Sequence, residues 1–149
     1  MKHILGLSFV LLTVSAVLPN AARCQSKPNV RAQEGEKVYV IINYVKDECR
    51  KDYECFMNEV FFDILANSKN EQTQKALRTS RWLIPEEKNE DHTWSYIFII
   101  DPVIENATYN IDSLFRERYN ATEAMHLIKR YESFMVGLTH FYSLKQSKY

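Results

Sequence analysis

The sequence predicts an α+β domain whose strands and helices follow one another as β-α-β-β-α-β. Four short runs are rich in β-branched and aromatic residues, and two longer stretches carry apolar residues at helical spacing. Few Gly and Pro interrupt them. The chain has 149 residues, 46% hydrophobic and 13% aromatic, with three Gly and four Pro. That composition suits a single core and excludes collagen-like, low-complexity and disordered readings.

The first strand is KVYVIINYV at 37–45, dense in Val, Ile and Tyr and of strand length. From Asp47, a suitable N-cap, to about Ser68 the period changes: Tyr53, Met57, Val60, Phe61 and Ile64 share one face of a helix. After a break the helical pattern resumes through NEQTQKAL. On the outer side of the helix Cys55, Phe62 and Ala66 form a minor apolar stripe. The N-terminal segment, the connector after Pro102 or a neighbouring protein could cover it, and a plainly exposed Phe62 is the alternative. RTSRWLIP at 78–85 is the second strand, stopped by Pro85. The charged loop EEKNED leads into HTWSYIFIID at 92–101, predicted to pair with it antiparallel. Asp101-Pro102 ends that third strand, because proline has no N–H to give a ladder. A connector and a short helix from Ser113 to Tyr119 come next. Asn120 with Glu123 three residues later approximates a capping box for a helix running to about Val136, and Gly137 is its stop. THFYSLKQ closes the chain as the fourth strand.

Four antiparallel strands in this order, with both helices on one face, make the split βαβ arrangement of ferredoxin-like folds. The other sheet face reads as apolar too. Trp94, Tyr96, Phe98 and Ile100 alternate with Ser95, Ile97 and Ile99, while Val38, Val40, Ile42 and Tyr44 alternate with Tyr39, Ile41 and Asn43. A bare apolar sheet face of this size marks an interface. A homodimer closed through it is expected, with Tyr96 and Phe98 at the seam.

The ends divide the chain further. Lys2 and His3 precede an apolar run from Ile4 to Leu18, then Pro19 and small residues, which is the plan of a signal peptide. Residues 1–24 are read as signal peptide, 25–36 as a flexible N-terminal segment and 37–149 as the ferredoxin-like domain. Cleavage after Ala22 or Cys24 leaves a small residue at the end of the leader, and lipidation of Cys24 or a retained anchor are the alternatives. The expectation is a secreted or periplasmic protein with no transmembrane segment after signal removal. Losing residues 1–24 removes Lys2 and Arg23, leaving 17 basic against 19 acidic side chains, a formal charge of about −2. With no basic cluster among aromatics, nucleic acid is not an expected partner.

Cys49 and Cys55 stand six residues apart, and on a helix they point in different directions, which disfavours a disulfide. They lack metal-spaced His or carboxylate neighbours, so no metal is expected. Asn106 and Asn120 each begin an NAT sequon that accepts N-glycan if the exporting cell glycosylates. Nucleophile elbows, zinc motifs, phosphate loops and dinucleotide fingerprints are missing from the sequence.

The element order, the doubly apolar sheet and the runs VKDECRKDYECFMNEVF, LIPEEKNEDHTWSYIFIIDPV and RYESFMVGLTHFYSLKQS together resemble the dimeric α+β barrel proteins related to antibiotic-biosynthesis monooxygenases, over roughly Lys37 to Ser147. The resemblance implies two sheets packed across a dimer and a small aromatic or polycyclic molecule bound beside the sheet. Some members oxidise such compounds with oxygen and no cofactor, others isomerise small lactones, bind haem or have no known activity. In the haem-degrading branch an Asn on strand one, a Trp on strand three and a following His form the site. Asn43 fits the first and Trp94 the second, but no His lies between Asp101 and Asn120. No cofactor is therefore expected.

Cofactor-free oxidation needs an apolar cavity and groups that hold and deprotonate an electron-rich substrate. Asn43 is a candidate to hold a substrate oxygen, Tyr96 and His140 to move a proton, and Trp82 and Trp94 to wall the pocket. Each has a plainer reading: the aromatics as core or dimer interface, Asn43 as a strand-end cap and His140 as a sheet histidine. A non-catalytic secreted interaction or ligand-carrier protein on the same scaffold is the other function class.

Overall fold

The computed structural model describes residues 31–148. The expected signal peptide, with Cys24, lies outside the described residues, as does the first half of the segment 25–36. The order is β1 (Lys37–Val45), a 3-10 turn (Asp47–Cys49), α1 (Arg50–Phe56), a π-helical turn (Met57–Phe61), α2 (Phe62–Ala66), α3 (Glu71–Thr79), β2 (Ser80–Leu83), β3 (Trp94–Ile100), α4 (Ile111–Arg118), α5 (Ala121–Ser133) and β4 (His140–Lys145). The strands lie in the order β2-β3-β1-β4, with each neighbouring pair antiparallel. That is the ferredoxin-like sheet. β1 and β3 occupy its centre because they are the two most apolar strands, and the two edges fall to β2 and the exposed β4.

All helices fill one side. Tyr53 of α1 packs on Tyr96 of β3 with ring centroids 4.7 Å apart, and on Tyr131 of α5 at 6.3 Å, so both crossover segments share one core. Along β3, Trp94, Tyr96, Phe98 and Ile100 are buried while Ser95, Ile97 and Ile99 are half-covered. The expected seam placement of Tyr96 and Phe98 is thereby corrected: both face the helices. Alternation along β3 could not choose, because both of its faces are apolar, and the aromatic set wins the side where large rings fill more volume.

A second correction concerns the outer stripe of helix one. Phe62 is partly buried, 5.5 Å from the ring of Trp82. The π turn over Met57–Phe61 bonds i to i+5, so it holds more residues per turn than an α-helix and rotates everything downstream. Phe62 turns inward as a result. Cys55, before the shift, stays exposed, and Cys49 is half-buried.

Local signals set the boundaries. Asn70, Asn110 and Asn120 each accept backbone N–H bonds as N-caps of α3, α4 and α5. After α5 the Val136 N–H bonds Tyr44 O at 2.8 Å, and Gly137 at φ +72° turns the chain into β4, a conformation that favours glycine. Residues 31–36, expected to be flexible, are tied to the sheet: Ala32 N–H donates to Asp101 at 2.6 Å, and Gly35 and Gln146 join backbones at 2.9 Å. No helix among the described residues is long and apolar enough to cross a membrane.

Candidate functional site

Strand β1 presents Lys37, Tyr39, Ile41 and Asn43 in alternation to the helix side of the sheet. Ile41 has Phe98 and Phe141 as its β3 and β4 neighbours. The helices do not close fully over this floor. Between them lies a cavity of about 460 Å³, bounded by Ile41, Asn43 and Phe141 of the sheet and by Met57, Leu114 and Tyr131 of the helical layer. Its size is that of a small-molecule site. Among the described residues, every side chain lining it is uncharged. The π turn supplies Met57 and Phe61 to its wall, so the same local irregularity that redirected Phe62 shapes the chamber.

The inner end is polar. Asn43, only 1% exposed, donates from Nδ2 to the Tyr53 hydroxyl at 3.0 Å and to the Tyr131 hydroxyl at 2.8 Å, and its Oδ1 accepts from Thr139 Oγ1 at 2.8 Å. A buried amide needs such partners, since an unsatisfied one costs about 1–3 kcal/mol. Because Tyr53 and Tyr131 accept from Asn43, each phenol keeps its own hydrogen for donation. Burial pushes the Tyr53 phenol well up, reinforced by Tyr131, and pushes Tyr131 up to about 12 against the opposing bonds from Asn43 and Thr139. Both are neutral donors at ordinary pH. Of this cluster Asn43, Tyr131 and Thr139 border the cavity.

The other residues singled out from the sequence fall elsewhere. Tyr96 sits opposite Asn43 across the β1–β3 ladder, but its hydroxyl donates to Glu54 at 2.5 Å, and burial followed by that carboxylate holds the phenol above its usual value. Arg50 Nε donates to the same Glu54 oxygen at 3.2 Å and lays its guanidinium 3.8 Å from the centroid of Trp94. Trp94 donates from Nε1 to Asp47 at 2.8 Å, and Lys88 Nζ reaches that carboxylate at 2.6 Å. Trp94 is thus a bolt between β3, the start of helix one and the 84–93 loop, outside the cavity lining. Trp82 stands one layer behind the cavity, stacked on Tyr96 and Phe98, with its Nε1 buried and without a hydrogen-bond partner among the described residues. His140 pairs with Ile42 and packs edge-on against Tyr44, on the sheet face away from the helices.

The structure therefore brings only Asn43 of the five to the cavity. The sequence reading missed Tyr53, Tyr131 and Thr139. The run THFYSLKQ reads as a strand from Thr139, although the observed strand begins at His140, so strand parity was the available signal: if His140 faces out with Ile42, the residue before it faces in with Asn43.

A ferredoxin-like α+β domain with an uncharged cavity between sheet and helices is the class of protein that fold and site define. No family model and no curated protein matches the chain. Among solved structures it is similar to a candidate antibiotic biosynthesis monooxygenase from Caulobacter crescentus CB15, with a TM-score of 0.41 and 11% identity, over 76% of this chain and 91% of that one. A likeness that loose supplies no residue correspondence, and the fold assignment stands on the strand order.

Proposed function

We propose that this protein binds a small, uncharged, largely aromatic or apolar molecule in the cavity between sheet and helices. The observation that carries this is the chamber of about 460 Å³ with uncharged walls and one hydrogen-bonding cluster at its inner end. A charged ligand would enter without a counter-charge, at a cost of several kcal/mol. A ligand oxygen placed at the inner end meets the Tyr131 and Thr139 hydroxyls.

The geometry favours binding over proton abstraction. No carboxylate or imidazole among the described residues lines the cavity, and Tyr131 holds its proton to about pH 12. Oxidation or isomerisation in this chamber is left to a substrate acidic enough to lose its proton to solvent, whose oxyanion the Tyr131 hydroxyl would then stabilise. A carrier uses the same geometry without chemistry, and oxygen uptake by the identified ligand separates the two.

Two further parts of the reading concern the whole molecule. A homodimer is supported by the bare sheet face, where Val40, Ile42, Ile97 and Ile99 form a half-covered apolar strip and Tyr142 and Leu144 are 46% and 47% exposed. The strip crosses the sheet, and a two-fold related copy presents the same surface back to it. Export is supported by the sequence of residues 1–24.

Titration of the purified protein with the neutral fluorophore N-phenyl-1-naphthylamine tests the cavity. Saturable binding of one probe per chain is expected, and Leu77→Trp, which fills the chamber, should abolish it while leaving the circular dichroism spectrum unchanged. Non-saturable binding, or binding indifferent to Leu77→Trp, rejects the reading.

A further inference from the structure

The cavity does not end at the sheet's interior. Tyr39 and Tyr109 also line a second depression, formed by Gly35, Glu36 and Lys37 at the start of β1 and by residues 103–107 of the connector. The two rings meet edge to face at 5.6 Å, so one aromatic pair is the party wall of both spaces. The second space is the polar one, with Glu36, Lys37, Glu105 and Asn106 around it.

One strand face runs beneath both. Lys37, Tyr39, Ile41 and Asn43 follow one another along the helix side of β1, which at about 3.3 Å per residue sets Lys37 roughly 20 Å from Asn43. Read along that line, the floor is polar, then aromatic, then aliphatic, then the amide cluster. The wall between the spaces is anchored on one side only: the Tyr109 hydroxyl accepts from Ile104 N–H at 2.8 Å, whereas Tyr39 rests on the rings of Tyr109 and Phe141, the latter 4.9 Å away. Phe141 is 54% exposed. Turning the Tyr39 ring would break no side-chain hydrogen bond found among the described residues.

We propose that the ligand is elongated and two-part: an uncharged apolar body in the cavity with an oxygen at the Asn43 end, and an uncharged, hydrogen-bonding tail that passes the Tyr39–Tyr109 pair into the outer groove. An uncharged tail suits a groove that sets Glu36 and Glu105 against Lys37, because it needs no counter-charge there and finds both hydrogen-bond donors and acceptors. This deepens the small-molecule reading above and rests on it.

Three probes test it on the full protein by isothermal titration: 2-naphthol, 2-naphthol bearing a triethylene glycol chain on its far ring, and the same naphthol bearing a hexyl chain. The glycol probe should bind about tenfold tighter than 2-naphthol and the hexyl probe no tighter. Ala107→Trp, which blocks the groove, should remove the glycol gain and leave 2-naphthol affinity unchanged, and Lys37→Ala should reduce the gain in a variant that disturbs no packing. Naphthol binding with no glycol gain, an equal gain from hexyl, or a gain that survives both variants overturns the two-part ligand while the cavity reading stands. Binding of none of the three overturns both.

Discussion

The two faces of the sheet are made from the same four strands and similar residues, yet they do opposite things. On the covered face Tyr96, Phe98 and Ile100 are buried under helices, and Asn43, Tyr53, Tyr131 and Tyr96 hold their polar atoms in hydrogen bonds. On the bare face Ile97, Ile99 and Ile42 are half-covered, and His140 packs edge-on against Tyr44. Apolarity does not distinguish them. What does is the placement of bulk and of buried hydrogen bonds: most of the large aromatics and the amide cluster lie on one side, most of the β-branched residues on the other. The covered face is a folding core with a chamber in it, whereas the bare face is a half-covered apolar surface, the feature on which the proposed homodimer rests.

Adjacent residues give the sharpest way to break that comparison. Tyr96→Glu puts a carboxylate beside Glu54 in the core, and a buried unpaired charge costs several kcal/mol. Loss of the cooperative urea transition or of soluble protein is expected. Ile97→Glu, one position on, points to the bare face. It should keep the urea midpoint of the monomer and shift analytical ultracentrifugation from dimer to monomer. Equal effects from the two substitutions would mean that the faces are not distinct.

That pair also marks where the sequence was legible. β1 was read at its observed bounds because nine consecutive residues favour a pleated strand, and the Asn120 cap of α5 was read because capping chemistry is local. The inward face of β3 was not legible, since its choice depends on which set fits beneath helices that close later. Neither was the inward turn of Phe62, because no residue type announces a π turn. The site was legible in part. Asn43 stood out as a polar residue in an apolar strand, but its partners Tyr53, Tyr131 and Thr139 lie 10, 88 and 96 residues away and look like ordinary core and turn residues.

A smaller effect sharpens the comparison from inside the covered face. Asn43→Ala removes the donor shared by Tyr53 and Tyr131 and the acceptor of Thr139, leaving three hydroxyls with fewer partners. A loss of about 1–3 kcal/mol in urea unfolding is expected. N-phenyl-1-naphthylamine, which carries no oxygen, should bind with little change, whereas 2-naphthol should weaken. Equal weakening of both would make Asn43 a packing residue and no more.

The smallest expected effect lies at the rim, where β1 hands over to helix one. Hydrogen bonds from Lys88 first and Trp94 second hold the exposed Asp47 carboxyl below its ordinary value of 3.8. A carboxylate with a lowered folded pKa binds protons less readily in the folded state, so its contribution is complete above the unfolded value and is lost as pH falls through the folded one. The difference in urea midpoint between wild type and Asp47→Asn should therefore hold steady from pH 7 to about 5 and close below 4. Because the Lys88 pair is solvent-exposed, the same difference should shrink in high salt. The Asn43 cluster answers to neither treatment: its members are neutral across that range, and their bonds lie out of reach of screening ions. A midpoint difference at Asp47 that ignores both acid and salt would place this carboxylate in the buried class, and the contrast between rim and core would fail at the point where β1 leads into the 3-10 turn.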